Sequence, residues 1–342
     1  MPRLRFAVPL AVLLAAMAAL AACGSDSSSR GSTAGSAPGG TPQTVKIALD
    51  YSPNVNYLGI YTAIAKGEFA KRGITPEIIP YANTPAETLI RSGKTDLAIS
   101  YPPDVIINRS QGLKYTAVAA LVARNTTALA VLADSKFTRP AQLSGTLYGG
   151  FGIQSDAPII AAILKADGVA KPEFRQVVLN TDVISALDHQ RIQYTAVFGG
   201  IDDVTAGLQG VRLRTFPYAK YLGAAGNYPN AVYVASDETI ATRGPALKRT
   251  LAALAQGYEY AAKHPAEAAK ILIAANETAL GKSKDIVDAT AVAVAKQFLD
   301  PSGAWGPLQD EDFAGLSKIL QAGGVVKRPP PPADLYTDRL LP

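Results

Sequence analysis

VKIALDYSPNVNYLGIYTAIAKGEFAKRGITPEIIPYANTPAETLIRSGKTDLAIS, residues 45–100, alternates apolar strand-like runs with helical patterns, and this rhythm decides the fold. Val45 to Leu49 reads as a strand that runs into the polar loop Asp50 to Asn56. The spacing predicts a helix over Leu58 to Lys71 that closes at Gly73, a residue type suited to the left-handed end of a helix. Thr75 to Pro80 reads as a second strand. Thr84-Pro85-Ala86-Glu87 has the capping-box pattern with proline at the first helical position, and its helix stops near Gly93. Asp96 to Ser100 is a third strand. A helix from about Pro103 to Ser110 and a strand over Tyr115 to Leu121 follow. A β-α-β-α-β order predicts a parallel, helix-covered sheet and an α/β class.

A second series begins after Ala128. Strands are expected at Leu129–Leu132, Leu147–Gly150, Phe174–Leu179 and Ala196–Phe198, with helices at Ala157–Ala166 and Val183–His189 between them. A third section opens on the strand Ala231–Ala235. Helices follow, one of them carrying Leu247, Leu251, Leu254 and Tyr258 on one face. Two similar units joined near residues 122–132 and 230–236 predict two lobes, residues 44–128 plus 231–342 and residues 129–230. Ligands of open α/β sheets sit beyond the carboxyl ends of the strands, close to helix N-termini. With two lobes facing each other, that place is the cleft between them.

The N-terminus explains where such a body works. Arg3 and Arg5 precede an apolar run, Phe6 to Leu20, which is the layout of a signal peptide over residues 1–22. Leu20-Ala21-Ala22-Cys23 resembles the bacterial lipobox, so Cys23 is expected to carry lipid. Residues 23–43 are Ser-, Gly-, Thr-, Ala- and Pro-rich and read as a flexible tether. The formal charge is +5, of which Arg3 and Arg5 contribute two. Lys and Arg are spread along the chain without interleaved aromatics, so no nucleic-acid partner is expected.

The inventory excludes several chemistries. Cys23 is the single cysteine, and His189 and His264 are the only histidines. A zinc site of His and Cys ligands is therefore ruled out, and neither histidine lies in a motif for Ser-His-Asp catalysis. Gly149-Gly150-Phe151-Gly152 has the wrong spacing for a dinucleotide loop. No metal, cofactor or catalytic residue is expected. The strand ends instead collect aromatic and amide side chains: Tyr51, Asn54, Asn56 and Tyr57 in the first loop, Tyr101 after the third strand, Phe151 and Asp202 in the second unit. Such a set can stack on a flat ring and read its donors and acceptors. Each has a plainer alternative: Asn54 and Asn56 as turn residues, the tyrosines as rim of the core, Phe151 in a strand–helix turn, Asp202 as a helix cap. Asp104 reads as a carboxylate favourable to the N-terminus of its helix.

The ordered set Leu49-Asp50-Tyr51-Ser52-Pro53-Asn54-Val55-Asn56, Ala65-Lys66-Gly67-Glu68-Phe69, Ser92-Gly93-Lys94-Thr95-Asp96, Tyr148-Gly149-Gly150-Phe151-Gly152 and Gly257-Tyr258-Glu259-Tyr260-Ala261 resembles the pyrimidine-precursor binding proteins of thiamine-salvage ABC importers. These belong to a superfamily that also includes fungal thiamine-pyrimidine synthases and sulfonate-binding proteins. The resemblance implies a periplasmic-binding-protein-like architecture, a small-molecule ligand in the cleft, and an ABC permease with its ATPase as partners. It implies a monomeric, lipid-anchored protein on the outer face of the cytoplasmic membrane or in the periplasm. Family members commonly have Trp at Tyr51 and His at Tyr57, a tryptophan-rich stretch at Phe198 to Asp203, and an acidic residue near Thr205. In the synthases a lysine that holds pyridoxal phosphate and a histidine align with Ser100 and Asp104, and serine cannot form an imine. A cysteine-rich iron motif has no counterpart. The expectation is a solute-binding lipoprotein for a thiamine-type pyrimidine; riboflavin, sulfonate or nitrate binding and a synthase-like enzyme stay open as alternatives.

Overall fold

The computed structural model describes residues 41–179 and 183–342. The signal peptide, Cys23 and nearly all of the tether fall outside the described residues. In chain order the first part runs β1 (Gln43–Ala48), α1 (Leu58–Ala65), β2 (Ile74–Ile79), α2 (Ala86–Arg91), β3 (Leu97–Ser100), α3 (Pro102–Ser110) and β4 (Tyr115–Ala120). The second part runs β5 (Thr127–Leu132), β6 (Leu147–Gly150), α4 (Asp156–Ala166), β7 (Arg175–Val178), α5 (Val183–Asp188), β8 (Tyr194–Phe198), α6 (Asp202–Leu208), β9 (Leu213–Pro217) and α7 (Tyr218–Leu222). The third runs β10 (Val232–Ser236), α8 (Asp237–Lys263), α9 (Pro265–Ala275), α10 (Glu277–Leu280), α11 (Lys284–Ala295) and α12 (Glu311–Ala322).

The strands form two five-stranded sheets of the same plan, β2-β1-β3-β10-β4 and β7-β6-β8-β5-β9. The first three strands of each are parallel, as the β-α-β rhythm predicts. The fourth position departs from that prediction. β10 runs antiparallel to β3 and β4, and β5 antiparallel to β8 and β9, so both sheets are mixed. The reason is connectivity: each is the strand by which the chain enters a sheet from the other one. The two connecting segments also bond to each other, Leu121 N–H donating to the Ala231 carbonyl at 3.0 Å and Asn230 N–H to that of Val122 at 3.1 Å. Ala231 holds φ at +69°, a left-handed conformation unusual for a residue with a side chain,.

Two local expectations fail, one for a local and one for a tertiary reason. The helix expected over residues 58–71 ends at Ala65, because Gly67 adopts φ +70° and a separate 3₁₀ turn covers Ala70–Arg72. The capping box at Thr84 does not form: Pro85 is the N-cap residue and no side chain caps the helix. Glu87 accepts instead from the Ser100 hydroxyl at 3.3 Å, at the end of β3.

One core packs α1 and α8 on the first sheet around Tyr57, Leu58, Leu254 and Tyr258. A second core is continuous from Ala98, Val105 and Tyr115 of the first sheet to Leu129, Tyr148 and Tyr194 of the second, with Phe313, Leu316 and Leu320 of α12 between them. The C-terminal helices thus reach both halves, and Gln297, just past α11, donates to the Gly199 carbonyl at 3.2 Å.

Candidate ligand cleft

β1 and β3 are parallel neighbours, so their carboxyl ends release the loop from Asp50 and the turn at Tyr101 side by side. Asp50 joins them. Its Oδ1 accepts from the Tyr57 hydroxyl at 2.8 Å and its Oδ2 from the Tyr101 hydroxyl at 2.7 Å. Burial raises the Asp50 carboxyl above its ordinary value, and the bonds from Tyr101 and then Tyr57 oppose that rise,. Tyr57 is 1% exposed and belongs to the core, its hydroxyl also accepting the Tyr51 N–H at 3.0 Å. Asn54 closes the turn, accepting the Asn56 N–H at 2.9 Å and donating to the Ser52 carbonyl at 2.9 Å. The Asn56 carbonyl accepts from the Tyr258 hydroxyl at 2.9 Å, and the Tyr233 hydroxyl lies 2.9 Å from that of Tyr258. Among the described residues the side-chain amide of Asn56 makes no hydrogen bond. Tyr51 is 55% exposed with its ring 5.7 Å from that of Tyr81. Asp50, Tyr57 and Tyr101 are therefore one assembly, with Tyr51, Asn54 and Asn56 along its edge.

The residues expected from the second unit are arranged differently. Phe151, after β6, is half exposed. Asp202 begins α6, and its Oδ2 accepts the Phe198 N–H at 2.7 Å, so its carboxylate closes its own turn. Asp203 does the same for the Gly200 N–H at 2.6 Å.

A cleft of about 650 Å³ opens between the two halves. Pro85, Glu87, Thr88 and Arg91 line it from α2, Asp104 and Asn108 from α3, Gln111 to Leu113 from the turn beyond, and Gly152 to Gln154 from the loop after β6. The volume suits a small ligand. Phe151 adjoins this wall, and Tyr101 is the N-cap of the helix that carries Asp104. Glu87, Asp104 and Asp156, which opens α4, were not singled out as site residues from the sequence. The available signal was their placement: each stands in the first turn of the helix that follows a parallel strand, β3 for Asp104 and β6 for Asp156.

Burial first, then the charges of Glu87 and Asp156, push the Asp104 carboxyl up to about 7. Burial pushes Asp156 up to about 6, opposed by a hydrogen bond from Tyr148. A carboxyl whose pKa is raised by folding opposes the folded state increasingly as pH climbs from its unfolded value to its folded one. Asp312, also raised to about 6 by burial, acts in the same sense. Glu68, Asp167, Glu267 and Asp300 are held low and contribute a constant amount above about pH 5,. The unliganded protein should therefore melt several degrees higher at about pH 5.5 than at about pH 8, an effect on the order of 1–3 kcal/mol after allowance for partial exposure. Calorimetry across that interval checks it, and a melting point that climbs with pH would contradict it.

A family model described as NMT1/THI5 like matches residues 54–268. The formylaminopyrimidine-binding protein of Halalkalibacterium halodurans is 26% identical over 308 residues, which cover 86% of this chain and 90% of that protein. A putative thiamine biosynthesis protein of Haemophilus influenzae is 25% identical over 236 residues, 66% of this chain and 71% of the relative. Among solved structures, the alkanesulfonate-binding protein SsuA from Xanthomonas axonopodis pv. citri superposes with a TM-score of 0.65 at 14% identity, covering 88% of this chain and 99% of that one. The periplasmic aliphatic sulphonate binding protein SsuA from Escherichia coli gives 0.64 at 13% identity, with 86% and 92% covered. At those identities the structural likeness establishes the fold.

Proposed function

The chain belongs to the NMT1/THI5-like family, and from that membership we propose that it is the extracytoplasmic solute-binding component of an ABC importer for a thiamine-type pyrimidine precursor. The observation that carries the reading is the cleft, whose walls come from both halves of the molecule and offer carboxylates and an amide, Glu87, Asp104 and Asn108, to one small ligand. A ligand touching both walls stabilises the closed arrangement by its differential affinity, and release needs no chemistry. Likeness along most of its length to a formylaminopyrimidine-binding protein supports the pyrimidine class.

The lobes are taken as residues 44–128 plus 231–342 and residues 129–230, and the first-loop set Tyr51, Asn54, Asn56, Tyr57 and Tyr101, with Phe151 and Asp202, as residues that shape the site. Lipid on Cys23, a tether to the membrane's outer face or the periplasm, action as a monomer, and a permease with its ATPase complete the proposal. A sulfonate would meet a single wall cation, Arg91, against Glu87 and Asp104, which disfavours an anion. A synthase would need an amine where Ser100 hydrogen-bonds Glu87,.

Thermal-shift and calorimetric titration against thiamine, aminopyrimidines, riboflavin and sulfonates test the reading. An aminopyrimidine at a hundredfold excess over Kd should add about 2.7 kcal/mol of stability. Asn56→Ala and Tyr101→Phe should each weaken its binding about tenfold while leaving the circular dichroism spectrum intact. Unchanged affinity in both variants would remove the first loop from the site.

A further inference from the structure

The described chain begins at Thr41 and enters the first sheet at the amino ends of its parallel strands, opposite the loops after β1 and β3. Gln43 N–H donates to the Gly73 carbonyl at 2.9 Å, and the Arg249 guanidinium donates to the Gln43 side-chain carbonyl at 2.7 Å. The Arg243 guanidinium donates to the Thr44 carbonyl at 2.5 Å. Lys94 stands just before β3 and Lys114 just before β4, at the same edge of the sheet. Residues 24–40 separate Thr41 from Cys23, the residue read as lipid-bearing. Fully extended, that stretch reaches roughly 60 Å. This edge is therefore where the body hangs from its anchor.

The same edge is basic on its outside. Lys94, Lys114 and Lys248 are exposed, and among the described residues neither they nor Arg249 form an ion pair. Where carboxylates are present, they sit beneath the cations. Glu68 holds Lys71 at 2.5 Å and Arg72 at 2.7 Å, and its side chain is 16% exposed against 61% for Lys71. Asp96 pairs with Arg243 and is 12% exposed against 36%. Each pair turns its cation to solvent. Asp237 is taken by Arg109 at 2.6 Å, and Lys46 lies 3.9 Å from Glu77. Glu238 is the remaining exposed carboxylate at the start of α8, so the edge keeps an excess of positive charge.

We infer that this edge is a docking surface for an anionic phospholipid membrane, on which the anchored protein lies with the loops after β1 and β3 outward. The inference rests on lipid at Cys23 and is independent of which solute the cleft takes. Each Lys or Arg near an anionic bilayer strengthens association about fivefold. The attraction fades within a Debye length, about 10 Å at 0.1 M salt. A free chain gains little from so few cations. An anchored one is already at the surface, so the contact forms within one molecule. The acyl chains keep the protein there, and the basic edge sets how it lies. The loop from Asp50 to Asn56 and the turn at Tyr101 leave the opposite, carboxyl ends of the same strands. Lying on its basic edge, the protein holds those loops toward solute arriving from outside.

Reconstitution of the acylated protein in vesicles tests this, after mass spectrometry of Cys23 for its acyl chains. A fluorophore is attached to Thr242→Cys, exposed on the basic edge, or to Ser52→Cys, exposed in the first loop, and the vesicles carry a quencher on lipid headgroups. With phosphatidylglycerol present, the label at 242 should be quenched at least about threefold more than in phosphatidylcholine alone. The label at 52 should be quenched weakly and equally in both. Salt at about 1 M, where the Debye length is about 3 Å, should abolish the difference. Lys94→Glu combined with Lys248→Glu should abolish it too. Equal quenching at 242 in the two lipids, or stronger quenching at 52, overturns the docking edge. A charge-reversed variant that keeps the full lipid dependence overturns it as well. Absence of acyl chains overturns the anchor reading and this inference together and leaves the proposed ligand untouched. Should the double variant fail to fold, the lipid and salt comparisons on the unaltered charges decide alone.

Discussion

Gly257→Leu is expected to abolish folding. Gly257 sits where α8 crosses α1, and a Cβ there would lie 2.1 Å from the Gly59 carbonyl oxygen and 2.8 Å from the Ala63 Cβ. Across the same contact, a Cβ on Gly59 would fall 2.2 Å from the nearest atom of the Tyr258 ring. These neighbours are backbone and core, so the clash cannot be relieved by turning a flexible side chain. Separating the helices would open the core that holds Tyr57, Leu58 and Leu254, so the cost should exceed about 3 kcal/mol, a large share of a domain's net stability. Gly244→Ala is the control: its Cβ would have a nearest neighbour at 3.9 Å, Leu340, and alanine favours a helix over glycine by about 1 kcal/mol. Circular dichroism melts of both variants check the pair. A folded Gly257→Leu with a melting point near the parent's would contradict the close crossing.

Trp305→Ala should destabilise the fold by about 3–5 kcal/mol and weaken ligand binding as well. Trp305 is the only tryptophan of the chain and is 3% exposed. Its indole stacks on the Tyr258 ring at 4.9 Å with 4° between the planes and meets the Tyr233 ring edge-on at 5.8 Å. Its Nε1 donates to the Leu121 carbonyl at 3.2 Å. Leu121 lies in the first segment that joins the two sheets, and the Tyr258 hydroxyl holds the Asn56 carbonyl. Truncation therefore leaves a large void, an unpaired buried carbonyl in the connection, and a loosened first loop. Trp305→Phe should recover much of the packing and none of the hydrogen bond. Denaturant melts of the three proteins, followed by titration of those that fold, separate the contributions; an alanine variant within about 1 kcal/mol of the parent would contradict this role.

How far the sequence could be read depends on the range of each interaction. The α/β alternation of residues 45–100 was legible because each strand and helix carries its own periodicity, and parallel pairing follows from helical connections. The antiparallel entries of β5 and β10 were not, since strand direction there depends on where a crossing segment delivers the chain. Thr84 to Glu87 carried a correct local signature for a helix start, yet Glu87 faces Ser100 and the cleft instead of its own helix end. Local pattern cannot register a competing partner on another strand. Tyr57 illustrates a half-legible role: its place in a polar loop suggests a ligand-facing aromatic, yet its ring packs in the core while its hydroxyl anchors Asp50 beside Tyr101. Asp202 is the first residue of its helix and not its cap, which is Ile201; its carboxylate turns back onto the Phe198 N–H at the end of β8. Asp104 and Asp156 gain their meaning only when two segments far apart in the chain face each other.

The central claim is capture of a small pyrimidine between two walls and its release unchanged. The most direct measurement is equilibrium titration of the purified protein with an aminopyrimidine, followed by mass spectrometry of the bound and then released molecule. Saturable one-to-one binding with the ligand recovered at its original mass is the predicted result. No saturable binding of any pyrimidine, or recovery of a converted product, would contradict the account.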